Sequence, residues 1–381
     1  MTANSLPPCY LDHAASAPLC AEARAAMLGA MALTGNPSSV HRFGRAARAL
    51  LEASRRQVAA LAGASPAGVV FTSGGSEANS LALTGLAVAA RIVSAVEHES
   101  VSAAAPTAAR LPVDGSGVAD LVALEALLAG LPAPALLSLM LVNNETGVIQ
   151  PVAEAAALVH RAGGLLHCDA VQAAGRLPLD RAALGADLLT LSAHKLGGPM
   201  GVGALVLDER LTLAPLIAGG GQERRRRGGT ENLIGIAGFG AAAALAGGEI
   251  ADAPRLAALR ADLERGARAL APELRIPGAA AARVAGISCL ILPGKAAETQ
   301  VMALDLAGIA VSAGAACSSG KARASATLSA MGIAADLAAC AIRVSLGRGS
   351  GRGEVERFLA VWGEHCRRPA VSAAACGDIR V

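Results

Sequence analysis

The stretch DLLTLSAHKLGGPMGVGALVL, residues 187–207, sets a lysine between two short apolar runs. The runs 187–192 and 202–207 are bounded by glycines and polar residues, a pattern that predicts two buried strands. Lys195 thus follows a buried strand and precedes a Gly-rich turn, where backbone can approach a ligand closely. Such a frame is unusual for a surface lysine, so we interpret Lys195 as a functional amine.

The scarcity of lysine supports this interpretation. Of the 33 basic residues only three are lysines, at positions 195, 295 and 321. An amine can form a Schiff base, whereas a guanidinium group cannot. Each lysine is therefore a candidate for chemistry.

Outward from this stretch, short apolar runs alternate with helical patterns from about residue 40 to 250. The other strands of this block are predicted at residues 69–72, 91–96, 135–142 and 165–169, with helices such as 42–62 and 151–162 between them. This alternation predicts an α/β fold in which a mostly parallel sheet carries helices on both faces. Beyond residue 247 a helix at 254–270 leads to strands near 288–292 and 343–345. We predict a large domain of residues 15–250 and a smaller α+β domain of residues 1–14 and 251–381.

The composition gives no indication of membrane or nucleic-acid partners. The hydrophobic fraction is 53%, but most of it is alanine, and residues 233–248 lack the roughly 20 bulky apolar residues of a spanning helix. The net charge is only +3, so the protein has no broad basic surface for nucleic acid, and its six aromatic residues offer little for stacking on bases. Because the first residues show no signal-peptide pattern, the expected location is cytoplasmic.

Eight cysteines are scattered without CxxC pairs in a chain too large to need disulfides, so reduced thiols are expected. Cys317 differs from the other seven because small residues surround it in SAGAACSSGKARAS, residues 312–325. Lys321 nearby favours the thiolate, which suits an exposed nucleophile. His167 beside Cys168 is more typical of a core histidine than of a metal ligand, and no residue set has zinc spacing, so no metal is predicted.

Candidate polar residues recur where successive predicted strands end, which is where a parallel sheet collects a site. In FTSGGSEANS, residues 71–80, a strand enters a Gly-rich turn and then a helix. The amides of Gly75 and Ser76 and the Ser76 hydroxyl can face a phosphate there. No GK[ST] follows, so this is not a nucleotide P-loop, and an ordinary strand-to-helix turn is the alternative.

A second group of strand-end residues suits an aromatic cofactor. Asp169 ends an apolar strand, where its carboxylate can keep a pyridine nitrogen protonated or can simply cap the next helix. Gln172 lies one turn further on and can hydrogen-bond a phenolate oxygen. Together with the amine of Lys195, these residues predict pyridoxal 5′-phosphate as the cofactor.

Three further residues are candidates for contacts with cofactor or substrate. His98, after strand 91–96, offers a flat ring and an imidazole for proton transfer, with a core or surface histidine as the alternative. Asn144, after strand 135–142, has an amide that can orient a carboxylate. Arg343 lies on a predicted strand and should pair with a carboxylate, either of a substrate or within the protein. The run of arginines at 224–227 is either a solvated loop or a phosphate contact across a dimer interface.

Eleven motifs occur in a fixed order: LDHAAS, GNPSS followed by HRFG, FTSGGSE, EH, NNETG, HCDAVQ, SAHK, GGGQER, GGTEN, SAGAACSSG and IRVSLG. In this order the chain resembles the NifS/IscS-type cysteine desulfurases from about Tyr10 to Arg348. These enzymes belong to the class V aminotransferase group of the fold-type I pyridoxal-phosphate enzymes, which are homodimers with sites at the subunit interface.

The resemblance implies a role for each matching position. Cofactor contacts are the Schiff-base lysine Lys195, the ring-stacking acid/base His98, Asp169, Gln172, the phosphate contacts Gly75, Ser76, Ser192 and His194, and Thr230 from the other subunit. Substrate contacts are Asn36, Asn144 and Arg343, and Cys317 is the nucleophile that receives sulfur. The implied reaction converts L-cysteine to L-alanine, and an acceptor protein takes the sulfur for iron–sulfur clusters or tRNA thiolation.

The sequence also departs from the family pattern. Arg225 stands where the family usually has glycine, Arg323 and Ala324 replace a Glu-Pro pair, and the tail after Arg348 is short. Two rival hypotheses remain. One is a related aminotransferase or selenocysteine lyase in which Cys317 is incidental, and the other is a non-catalytic protein that uses the same fold for binding.

Overall fold

The computed structural model describes residues 8–314 and 325–367. The strands within them are β1 (Cys9–Tyr10), β2 (Val69–Thr72), β3 (Ala90–Ser94), β4 (Ala109–Leu111), β5 (Ala135–Ser138), β6 (Leu165–Asp169), β7 (Leu188–Ser192), β8 (Gly203–Leu207), β9 (Ile287–Ile291), β10 (Ile309–Ala310), β11 (Ser312–Ala313) and β12 (Ala341–Ser345). The α-helices are α1 (Ala21–Met31), α2 (Arg42–Leu61), α3 (Gly75–Thr84), α4 (Glu99–Ala104), α5 (Leu121–Gly130), α6 (Val152–Arg161), α7 (Leu233–Ala251), α8 (Ala253–Leu270), α9 (Ala297–Leu306), α10 (Ala326–Ala330), α11 (Ala335–Ala338) and α12 (Arg352–Arg367).

Seven strands form the large sheet, in the order β2-β8-β7-β6-β5-β3-β4. Neighbouring strands run parallel except on the two sides of β8, which is antiparallel to β2 and β7. The mostly parallel sheet is confirmed. The carboxyl ends of β6 and β7 meet at one edge, where Asp169 lies opposite Thr190.

Alternate residues of each strand enter two different cores, which places helices on both faces of the sheet. Val69 and Phe71 pack in the core that also holds residues of α2, α5, α6 and α7. Val70 packs on the other face with α3 and α4. On α2 the buried residues Leu51 and Val58 lie seven positions apart, as expected for one apolar stripe facing the sheet.

The smaller domain is built on an antiparallel sheet in the order β11-β12-β9. β1 pairs in parallel with β10 and so joins this domain from the other end of the chain. Its core contains the stacked rings of Phe358 and Trp362, and the Trp362 Nε1–H donates to Gln300 at 2.9 Å. The predicted α+β character is confirmed, whereas the domain bounds stay predictions.

Two strands are shorter than predicted. The strand expected at 135–142 ends at Ser138, and the strand expected at 91–96 ends at Ser94. Beyond Ser138 the backbone N–H of Met140 donates to the carboxyl group of Glu97. A side chain takes the place of a strand partner there, and the ladder between β3 and β5 stops.

Within the described residues one helix, α7, is long and apolar enough to cross a membrane by length and composition alone. Half of its most apolar stretch is buried inside the fold, where it packs on α1 and α2. Phe239 of this helix is fully buried against Phe71 of β2. These contacts are those of a core helix.

Candidate active site

The carboxyl edge of the large sheet collects residues that were predicted from strand ends. Asp169 ends β6 and Ser192 ends β7, and both are buried. Gly75, the first residue of α3, lies beside them, because a Cβ built on it would be 3.5 Å from the Ser192 Cβ and 3.1 Å from Val171 Cγ2. A larger residue would fill this space, so the glycine keeps the helix N-terminus close to Ser192.

The N-terminus of α3 carries the predicted phosphate contact Ser76, whose side chain is exposed. The next residue, Glu77, accepts the Ser73 N–H at 2.7 Å and pairs with Arg227 Nε at 2.9 Å. Burial raises the pKa of Glu77, but hydrogen bonds from Arg227 and Ser73 outweigh it and hold this pKa below its ordinary value. The resulting carboxylate ties the arginine-rich loop to the start of the helix.

Lys195 lies on a single 3-10 turn directly after β7, and its amine is bound by backbone carbonyls. Nζ donates to the oxygen of Ala14 at 2.6 Å and to that of Ala15 at 2.8 Å. Burial lowers the pKa of Lys195 to about 8, and the nearby cations Arg343 and Arg176 lower it further. On the order of a tenth of the amine is therefore neutral at pH 7, which makes it a usable nucleophile.

Asp169 is oriented by two donors. Asn79 Nδ2 donates to Oδ2 at 2.8 Å, and the Val171 N–H donates to Oδ1 at 3.0 Å. The bond from Val171 is the local cap that was considered as the alternative role of Asp169. It occupies Oδ1 and leaves Oδ2 to Asn79 of α3. Asn79 lies in the middle of a helical stretch and was not predicted as a site residue.

Gln172 is held in a defined orientation. Arg176 donates to its Oε1 at 2.8 Å, and its own Nε2 donates to the Ala14 oxygen at 2.8 Å. Because a guanidinium group only donates, the oxygen and nitrogen of this amide are unambiguous. Gln172 and Lys195 thus meet at one backbone carbonyl, a partner that has no signature in the sequence.

His98 is exposed and acts as the N-cap of α4, four residues beyond the end of β3. The prediction that His98 directly follows a strand was therefore wrong, because a short turn separates it from Ser94, the last residue of β3. Nδ1 accepts the Ser100 N–H at 3.1 Å and lies 2.8 Å from the Ser100 Oγ. With Nδ1 occupied as an acceptor, Nε2 carries the proton of the neutral ring.

His194 and His167 are both neutral at physiological pH. Burial lowers the pKa of His194 to about 4, helped by the charge of Lys195, and its Nδ1 lies 3.4 Å from the Ser16 Oγ. As a phosphate contact it would thus act as a neutral donor. His167 is fully buried between Ser138 and Thr190, which occupy its two ring nitrogens, as expected for a core histidine.

Arg343 joins the two domains at the predicted substrate site. It donates to Asp12 Oδ1 at 2.9 Å and to the backbone oxygen of Asn144 at 3.0 Å. Its Nε is buried without a partner among the described residues. The internal ion pair is therefore present. Among the residues that the structure describes, one donor of the guanidinium has no partner, and Asn144 contacts Arg343 through its carbonyl.

Other predicted residues are not brought to this group within one chain. Asn36 is exposed, and its Oδ1 accepts the Ser38 N–H at 2.8 Å in a local turn. Thr230 is exposed on the loop before α7. Cys317 lies outside the described residues, and so does Lys321.

A cavity of about 790 Å³ reaches Lys195 along the crevice between the N-terminal segment and α7 and α8. Charged groups of both signs line it, among them Arg176, Glu249 and Arg348. Burial raises the pKa of Glu249, although the charges of Arg348 and Arg176 act against this. The cavity reaches Lys195, whereas Asp169, Gln172 and the N-terminus of α3 are not among its lining residues.

The residues at the sheet edge fit pyridoxal phosphate. Lys195 supplies an amine of lowered pKa, and Asp169 supplies an oriented carboxyl group. The space beside Gly75, which a Cβ would fill, admits a group close to the N-terminus of α3, where a phosphate is favoured. Lys195, Asp169, Gln172 and the start of α3 would hold the cofactor, which contributes an electron-withdrawing ring.

The model of the family described as aminotransferase class-V matches residues 9–358. The chain belongs to the class-V aminotransferase family. A cysteine desulfurase of Cereibacter sphaeroides is 44% identical over 367 residues, which cover 92% of this chain and 94% of that protein. An IscS-like cysteine desulfurase of Mycobacterium tuberculosis is 37% identical and is covered over its whole length, with 97% of this chain. A NifS-like protein from Rickettsia africae has a TM-score of 0.87 and 32% identity, covering 94% of this chain and 99% of that one.

These matches confirm the resemblance read from the ordered motifs, and they confirm the fold of this class-V protein. The role of each site residue remains a prediction. Where the sequence departs from the pattern at Arg225, the backbone has φ of +66°, a conformation that favours glycine. Glu223 and Arg224, with φ of +45° and +58°, share this left-handed region.

A buried ion pair holds Glu223, the first residue of this left-handed stretch. The carboxylate of Glu223 accepts from both terminal nitrogens of Arg55, at 2.7 and 2.8 Å, and from the Phe71 N–H at 2.8 Å. Both side chains are almost fully buried. The pair spans 168 positions of sequence, and nothing local in either segment indicated it.

Proposed function

We propose that this chain is a pyridoxal-phosphate-dependent cysteine desulfurase that converts L-cysteine to L-alanine and forms a persulfide on Cys317. The observation that carries the proposal is Lys195, a partly buried amine of lowered pKa at the sheet edge that also holds Asp169 and Gln172. Relatives named cysteine desulfurase support the choice of substrate and reaction.

Each residue of the site has a defined task in this proposal. When bound, pyridoxal phosphate supplies an electron sink that stabilises negative charge at the substrate Cα and so weakens the Cβ–S bond. Lys195 binds the cofactor and, as a neutral amine, takes the proton from Cα. Asp169 keeps a negative charge at the pyridine nitrogen. His98 presents Nε2 for proton transfer, because Ser100 occupies Nδ1.

Substrate orientation falls to Arg343 and Asn144, with Asn36 as a further predicted contact. A substrate carboxylate at this site would satisfy the unpaired Nε of Arg343 and compete with Asp12 for the guanidinium group. Such a contact fixes cysteine by the end that does not react. The thiol is then left free to face a nucleophile.

Sulfur transfer is assigned to Cys317, which is outside the described residues. Its thiolate attacks the sulfur of the bound cysteine, and an S–S bond forms while the Cβ–S bond breaks. The electron pair of the broken bond stays with the substrate carbon, which is protonated and leaves as L-alanine. Sulfur of the persulfide then passes to an acceptor thiol, which we propose belongs to a protein of iron–sulfur cluster assembly or tRNA thiolation.

A cytoplasmic homodimer is part of the proposal. Thr230, the predicted phosphate contact of the other subunit, is exposed in the single chain. Large apolar side chains near the start of the chain are exposed as well, including Leu28 at 60%, Met31 at 59% and Phe43 at 49%. A second copy that packs against α1 and the start of α2 would bury these side chains, as the interfaces of symmetric dimers do.

The test is turnover of cysteine by the purified protein. With a thiol reductant, alanine and sulfide should appear in equal amounts. Cys317→Ala should keep the visible absorbance of the bound cofactor and lose sulfide release, whereas Lys195→Ala should lose that absorbance. Undiminished sulfide release by Cys317→Ala would rule out the persulfide route.

The alternative reaction is that of another class-V enzyme, an aminotransferase or a selenocysteine lyase. The family match alone is compatible with either. Assays with cysteine, selenocysteine and common amino acids separate them. A selenocysteine lyase would release selenide rapidly and independently of Cys317, and an aminotransferase would yield a keto acid.

A further inference from the structure

The turn of residues 143–147, NNETG, contacts three different parts of the protein through neighbouring residues. The backbone oxygen of Asn144 accepts from Arg343 at 3.0 Å. The Nδ2 of Asn143 donates to the Val96 oxygen at 3.1 Å, two residues before His98. The third contact runs to the start of α10 and is the subject of the inference.

Two hydrogen bonds join the turn to the chain that directly follows residue 324. The hydroxyl of Ser325 donates to Glu145 Oε2 at 2.6 Å, and Asn143 Nδ2 donates to the Thr327 hydroxyl at 3.2 Å. All four side chains are buried. Burial raises the pKa of Glu145, while the hydrogen bond from Ser325 opposes that shift. The contact between the turn and α10 is thus buried from solvent, where hydrogen bonds are stronger than in water.

The other end of the ten-residue segment 315–324 is also fixed beside Arg343. The Gly314 N–H donates to the Ala341 oxygen at 2.7 Å, on the strand that carries Arg343. Ser312 lies opposite Arg343 in that sheet and accepts from its guanidinium at 3.1 Å. Cys317 therefore belongs to a segment whose two ends flank the proposed carboxylate-binding arginine.

We propose that Glu145 and Asn143 are positioning residues for sulfur transfer, which act by fixing Ser325 and Thr327 relative to Arg343. The substrate is held by its carboxylate, so the distance from that anchor to the end of the cysteine-bearing segment decides how often the nucleophile reaches the sulfur. The inference rests on the proposed role of Cys317. It adds that the turn of residues 143–147 in the large domain controls persulfide formation and does not control substrate binding.

A purely structural role is the competing explanation. Ser325 also caps α10 through the Leu328 N–H at 3.0 Å, so its removal would weaken that helix as well. Thr327→Val removes the hydroxyl that accepts from Asn143 and hydrogen-bonds Glu145, leaves the N-cap of α10 intact, and keeps the side-chain shape. Ser329→Ala, at an exposed position of the same helix, is the matched control.

The experiment follows two steps in the full-length holoenzyme after rapid mixing with cysteine. The change in cofactor absorbance reports substrate binding, and mass spectrometry of the alkylated protein reports persulfide on Cys317. Thr327→Val should leave the first rate within twofold and slow the second about tenfold, as expected when the buried hydrogen bonding of one hydroxyl, worth about 1.4 kcal/mol, is lost. Ser325→Ala should slow the second step at least as much, Ser325→Thr should restore it, and Ser329→Ala should match the unaltered enzyme.

Equal slowing of both steps, or persulfide formation at the normal rate in Thr327→Val and Ser325→Ala, would overturn the positioning role. If a variant melts at a lower temperature but keeps both rates, the contact is structural only and the inference is wrong. These results are distinct from failure of the proposed function, which would show as turnover in Cys317→Ala.

Discussion

Replacement of Arg225 by glycine should stabilise the protein. The residue has φ of +66°, and a left-handed conformation costs a residue with a Cβ about 1–2 kcal/mol. Glycine removes that cost but gains freedom in the unfolded chain, which offsets about 0.4–1 kcal/mol. We expect a net gain of about 0.5–1 kcal/mol in the free energy of unfolding. With about 2.1 cal/mol/K of unfolding entropy per residue, that corresponds to a rise in Tm of about 1 °C.

Urea unfolding of the cofactor-loaded protein measures this effect, because the shift in Tm is small. Arg225→Ala serves as the control, since it removes the same charge but keeps the Cβ, and it should stay near the unaltered value. Arg226→Gly provides the contrast, because this residue has φ of −91° and donates to two backbone oxygens. It should lose stability. If Arg225→Gly is no more stable than Arg225→Ala, the strain argument is wrong.

Three further predictions concern charge. Burial, and after it the charge of Asp169, raises the pKa of Glu97 well above its ordinary value. The stability that the protonated Glu97 contributes is therefore fully present below about pH 4.3, and it is lost as the pH rises toward the raised pKa. Glu97→Gln should therefore gain stability relative to the unaltered protein between pH 5 and pH 8, as measured by urea midpoints; a parallel dependence on pH would contradict this. Glu223→Ala removes the carboxylate that binds both terminal nitrogens of the buried Arg55 and leaves Glu52, at 3.2 Å from Nε, as its ion-pair partner. It should cost about 3 kcal/mol in urea unfolding, and a loss below about 1 kcal/mol would mean that water reaches the pair. Because the pKa of Lys195 is lowered to about 8, the rate at which cofactor-free protein binds pyridoxal phosphate should rise with pH and level off above that value, followed by visible absorbance; a rate still rising at pH 10 would show an ordinary lysine.

The sequence predicted elements better than contacts. Buried strands such as β6 and β7 were located because their apolar runs are short and bounded by polar residues. His98 was placed at the end of a strand because it follows the apolar run of residues 91–96, whereas in the structure it caps α4, a role that is unusual for histidine.

Partners far apart in sequence were not predicted. Asn79 is separated from Asp169 by 90 positions, and its helical context resembles that of any polar helix residue. The Ala14 carbonyl that receives Lys195 carries no side-chain signal at all. The left-handed backbone at Arg225 could be suspected only because glycine was expected there.

Ala14 connects the smaller domain with the edge of the large sheet. Its N–H donates to Ser345 at 2.9 Å, while its oxygen accepts from Lys195 at 2.6 Å and from Gln172 at 2.8 Å. The two groups belong to adjacent peptide units, so the residue between them is held from both sides. The position of Lys195 therefore depends on the smaller domain as well as on β7, although no side chain of Ala14 takes part.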